Sequence, residues 1–89
     1  MSQRRPGQPI VTFDTPMSYI TVDAYYDNIR TGEQTLTPGA KFNGYMGSPV
    51  GTNIIISFSS NGLTVSAIIS NSQMQTHIYF NIKGYGRRQ

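Results

Sequence analysis

The sequence predicts an all-β domain: a small antiparallel β-sandwich, jelly-roll-like or Ig-like in style, or a compact barrel of about six short strands. Three observations carry this. Residues 18–27, "SYITVDAYYD", and 76–82, "THIYFNI", alternate with period two and are rich in β-branched and aromatic side chains. Asn61-Gly62 sits between two alternating apolar runs, a strong hairpin signal. Turn residues recur about every ten positions, and no segment shows a helical period.

The elements follow in order. Residues 1–9, "MSQRRPGQP", read as a basic N-terminal arm, because Pro6 and Pro9 disfavour both helix and ladder. "IVTF" at 10–13 reads as a short strand broken by Thr15-Pro16. In 18–27, Ile20, Val22, Ala24 and Tyr26 share one face, and Tyr19, Thr21, Asp23 and Tyr25 the other. "NIRTGEQ" reads as a turn, and "TLT" at 35–37 as a short strand ended by Pro38-Gly39. Residues 40–51 carry three glycines and a proline and read as a loop or a bulged strand around Phe42 and Tyr45. Large apolar groups there plug one end of a sandwich or form a binding loop.

The stretch from Thr52 to Ser70 holds no charged residue. A two-residue turn at Asn61-Gly62 opposes Phe58 to Val65, Ile56 to Ala67 and Ile54 to Ile69, an apolar face for the core. It also opposes Ser59 to Thr64, Ser57 to Ser66 and Ile55 to Ile68. That second face lacks the Lys or Glu that usually protects exposed sheet from association. Ile55, Ser57, Ser59, Thr64, Ser66 and Ile68 are therefore the candidate assembly face. In 76–82, Ile78, Phe80 and Ile82 face one way, with His77, Tyr79 and Asn81 opposite. A basic C-terminal arm is expected at 84–89, leaving one domain at 10–83.

An 89-residue chain buries only about 60–65% of the surface it exposes unfolded, so it benefits from a staple. With no Cys and one His, disulfides and Cys- or His-built metal sites are excluded, which leaves oligomerisation. No cofactor is expected. The N-terminus has charge but no apolar stretch behind it, so synthesis in a cytoplasm without a signal peptide is expected. The final location stays open, an assembled particle or release by lysis included. No run is long enough for a transmembrane helix.

Net charge is +3 and unevenly spread. Arg4 and Arg5 stand at one end and Lys83, Arg87 and Arg88 at the other, as candidate contacts to phosphate or to a neighbour. All four acids lie within the first 33 residues, and Arg30 and Lys41 are the only basic residues between the arms. No catalytic constellation is legible. Asp23 and Asp27 read as solvated strand-face and turn acids. His77 lacks an orienting carboxylate and a marked nucleophile. "GYG" at 84–86 and "NGYMG" at 43–47 lack the context of phosphate loops.

The expected function is non-enzymatic: a virion- or surface-type subunit that self-assembles into an oligomer, filament or particle, its basic arms contacting neighbours. Two alternatives stand beside it. Nucleic acid could bind through the arms. A lipid- or glycan-binding module, lectin-like or membrane-binding, could use Phe42, Tyr45 and Tyr79 as a ligand rim. Residues 36–62, with their Pro-Gly turn and glycine-rich stretch, resemble aegerolysin-type lipid-binding sandwiches over under a third of the chain. That family uses Trp freely and this chain has none, so no site residue transfers.

Overall fold

The computed structural model describes residues 9–47, 50–74 and 77–86. Its strands are β1 (Pro9–Thr12), β2 (Met17–Tyr26), β3 (Ile29–Arg30), β4 (Gln34–Leu36), β5 (Lys41–Met46), β6 (Thr52–Phe58), β7 (Thr64–Ile69) and β8 (Tyr79–Gly86). One turn of 3-10 helix spans Ser72–Met74. The first sheet runs β1-β7-β6-β5. In the second, β2 is central, with β8 along one edge and β3 then β4 along the other. Every pairing is antiparallel. The two sheets face each other as a β-sandwich, as the alternation predicts.

Period two decides what is buried. Ile20, Val22 and Ala24 of β2 face inward with Leu36 of β4. They meet Ile54, Ile56 and Phe58 of β6 and Val65, Ala67 and Ile69 of β7 in one cluster. Met46, Val50 and Ile78 complete the buried set. The β6–β7 pairs are those the sequence predicts, from Ile54 with Ile69 to Phe58 with Val65.

The hairpin turn is longer than expected. The strands end at Phe58 and restart at Thr64, and the Gly62 N–H donates to the Ser59 carbonyl (3.0 Å). Side chains explain this. Ser59 Oγ accepts from the Leu63 and Thr64 N–H groups, and Asn61 Oδ1 accepts from Leu63 N–H and Ser59 Oγ–H. These bonds favour a loop folded on itself over the tight two-residue turn, with only Gly62 at positive φ (74°). At the other end of the sheet, buried Thr52 ties the strand ends together. Its hydroxyl bonds Ser70 Oγ (3.1 Å) and accepts from Asn71 N–H (2.8 Å).

Three further readings need correction. Residues 41–46 form a regular strand paired with β6, not a loop or bulge. Its glycine serves packing: a Cβ on Gly44 would lie 2.8 Å from the Phe42 ring. The last strand runs on through Gly86, into the segment expected to be an arm. Gly84 is needed there because a Cβ would meet the Phe13 ring at 2.7 Å and Met17 Sδ at 2.9 Å. Finally, "NIRTGEQ" is not all turn, since Ile29–Arg30 pairs with Tyr25 and Tyr26. Pro38-Gly39 does form a turn: Ala40 N–H donates to the Thr37 carbonyl (2.9 Å), with Gly39 at φ 89°.

Candidate functional site

A sandwich buries one face of each sheet and presents the other. The two outer faces here differ in chemistry. On the first sheet, cross-strand register sets Ile68, Ile55 and Asn43 in one row. Ser66, Ser57 and Lys41 form the next, and Asn53 with Tyr45 the last. Ile68 is 42% exposed and Ile55 half-buried. Lys41 is the one charged residue in these rows. The structure thus brings Ile55, Ser57, Thr64, Ser66 and Ile68 onto one face. Ser59 does not join them, because its hydroxyl is engaged in the hairpin loop.

The candidate rim does not assemble. Phe42 points inward and packs against the core. Tyr45 is exposed on the outer face of the first sheet, and Tyr79 on that of the second. Arg4, Arg5, Arg87 and Arg88 lie outside the described residues; Lys83 is exposed on β8.

The second outer face is an aromatic ladder. Tyr19 of β2 opposes Tyr85 of β8, and Tyr25 opposes Tyr79. The Tyr19 and Tyr85 rings stack with centroids 4.7 Å apart at 11°. Tyr25 and Tyr79 lie 5.8 Å apart, tilted by 33°. Between the two pairs, Thr21 opposes Lys83 and Asp23 opposes Asn81. Sequence reasoning singled out only Tyr79 and Lys83 here. The outward phase of Tyr19 and Tyr25 was legible, but pairing them needs the register of two strands far apart in the chain.

Asp23 is the second surprise. Although on an outer face, it is 3% exposed, against the expected solvated acid. Arg30, placed opposite Tyr25, reaches back so that its Nε (2.9 Å) and Nη2 both donate to Asp23 Oδ2. The Arg30 side chain is 60% exposed, whereas Asp23 Oδ1 is buried without a hydrogen-bond partner among the described residues. Hydrogen bonding to Asp23, then its charge, raises the Arg30 pKa above its ordinary value, so Arg30 stays cationic at any working pH. The pair is asymmetric. Arg30→Ala strands a buried carboxylate, whereas Asp23→Ala leaves a guanidinium already in water. Urea unfolding should therefore show Arg30→Ala as the more destabilised variant. Asp23→Ala in the Arg30→Ala background should recover stability.

Asp27, in the β2–β3 turn at φ 51°, lines a depression of about 300 Å³ with Tyr25, Arg30 and Asn81. A second cavity, of about 350 Å³, opens between β1 and β8, lined by Ile10, Val11, Ile78, Tyr79, Phe80, Asn81 and Ile82. His77 is exposed in the turn before β8. Among the described residues, no group of three His, Cys, Asp or Glu could hold a metal ion. Nor is any helix there long and apolar enough to cross a membrane. Comparison of the chain with protein-family models, curated proteins and solved structures finds no match. Residue chemistry on the two faces therefore carries the functional reading.

Proposed function

We propose that this protein is a non-enzymatic structural subunit that self-associates through the outer face of its first sheet. The observation behind this is the Ile55–Ile68 row: an isoleucine 42% exposed beside a half-buried one, in rows holding one cation and no acid. Apolar groups on an uncharged flat face gain by leaving water. The face offers almost no charge for a charged partner to complement. A second copy meets it on equal terms, because a two-fold contact lays the same row on itself. Lys41 stands on edge strand β5, at the rim, where its charge can stay solvated.

The test is sedimentation velocity at high micromolar concentration, at low and high salt. The expected result is a dimer or larger species that persists in salt. Ile68→Lys should weaken association by about tenfold or more while keeping the β-rich circular dichroism spectrum. A wild-type protein that stays monomeric under all these conditions overturns the proposal.

A further inference from the structure

We propose that the outer face of the second sheet binds single-stranded nucleic acid, with bases stacking on the two tyrosine pairs and the backbone drawn to Lys83. This does not depend on self-association, which uses the opposite side of the sandwich. Three features argue for it.

The first is ring placement. Tyr19, Tyr79 and Tyr85 are 39%, 61% and 39% exposed, so their rings are open to further stacking. Along β2 the two pairs are six residues apart, about 20 Å at strand rise. A ligand with one ring cannot engage both pairs, whereas a polymer with a ring on every unit can. Stacking on tyrosine also needs unpaired bases, which favours single strands over duplex.

The second is charge. Lys83 stands exposed between the pairs. Asp23, the only acid in these rows, is buried and neutralised by Arg30. Asp27 and Glu33 lie near Arg30, in the turns on either side of β3, so they oppose a phosphate only at that end. At the other end no acid stands on the ladder itself, Asp14 lying in the turn between β1 and β2.

The third is the depression at the Tyr25 end, where Asn81 adds an amide that can both donate to and accept from a base edge. A neutral sugar polymer gains nothing from the charge of Lys83, whereas a phosphate backbone does.

The probe is a fluorescein-labelled oligothymidylate of about 20 nucleotides, longer than typical single-strand sites. Anisotropy is read against a duplex of equal length, heparin and a neutral oligosaccharide. With no Trp in the chain, intrinsic emission reports the tyrosines directly. The single strand should bind most tightly and quench that emission. The double variant Tyr79→Leu with Tyr85→Leu should weaken binding about tenfold or more, whereas Phe at both positions should retain it. Lys83→Gln should weaken binding and make its salt dependence shallower. Urea midpoints establish that the variants fold; if the Leu pair does not, the Phe pair, Lys83→Gln and the quench still decide. Several results would overturn the proposal: no binding of the single strand, full affinity in the folded Leu pair, heparin binding as tightly with no quench, or the oligosaccharide binding in its place. So would loss of all affinity on deleting residues 1–8 and 87–89, which would place binding in the arms alone.

Discussion

Phe58→Ala is expected to lower the denaturant concentration at which the protein unfolds more than any other truncation in the core. Phe58 is 2% exposed and heads the largest fully buried side chains. It closes the β6–β7 ladder opposite Val65, and its backbone accepts from Gly39 N–H (2.8 Å) and donates to the Ala40 carbonyl (3.0 Å). Truncating such a ring costs about 3–5 kcal/mol, the lost transfer energy plus the cavity left behind. A domain of this size holds about 5–13 kcal/mol in all. Urea unfolding followed by circular dichroism should show the midpoint falling by about a quarter or more, with Phe58→Leu intermediate. A loss under about 1 kcal/mol would mean that the site collapses around the change, or that the ring is not packed as described.

The second large effect is expected at Gly62. Alanine there meets two penalties at once. The backbone sits at φ 74°, a region that costs an L-residue about 1–2 kcal/mol. The new Cβ would also lie 2.9 Å from the Met17 carbonyl oxygen and 3.2 Å from its nitrogen, and backbone has little room to give. That same Met17 N–H donates to the Gly62 carbonyl (2.9 Å), so relief of the clash strains the bond holding the hairpin loop to the start of β2. The total is about 2–4 kcal/mol. Gly39→Ala is the internal control. Its φ is 89°, but the nearest atom to a Cβ is Ser60 Cβ at 3.9 Å, an ordinary contact. Thermal unfolding should rank Gly62→Ala well below Gly39→Ala. Equal losses would show that only the φ matters.

What could be read from the sequence was what period two and local turns govern. The inward phase of Ile20, Val22 and Ala24 was legible, as was the whole β6–β7 register. Each depends on neighbours along the chain or across one hairpin. The hairpin loop itself was misjudged because Asn61-Gly62 favours a tight turn in isolation, while Ser59 and Asn61 supply acceptors that stabilise a longer one. The β5 strand was obscured by its glycine, whose cost as a strand residue is offset by the Phe42 ring lying across it. The pairing of Asp23 could not be read from its outward phase, because Arg30 reaches it from across a turn. The tyrosine ladder was half visible: the phases of Tyr19, Tyr25 and Tyr79 were in the alternation, but their pairing waits on β2 meeting β8. As for the assembly face, five of its six candidate residues share one surface, and Ser59 is taken by the loop.

The pairing of early strands with late ones also bears on how the molecule is made. β2 finds its longest partner in β8, and β1 pairs with β7. During synthesis the first two strands emerge long before either partner exists. Only the β2–β3–β4 meander and the β5–β6–β7 hairpins can form as the chain grows. The first sheet is completed only by β7 and the second only by β8. Folding should therefore, as for other topologies rich in distant pairings, run on the millisecond-to-second scale. Until then the uncharged β6–β7 hairpin is exposed on both faces, which makes it the segment most in need of protection in the nascent chain.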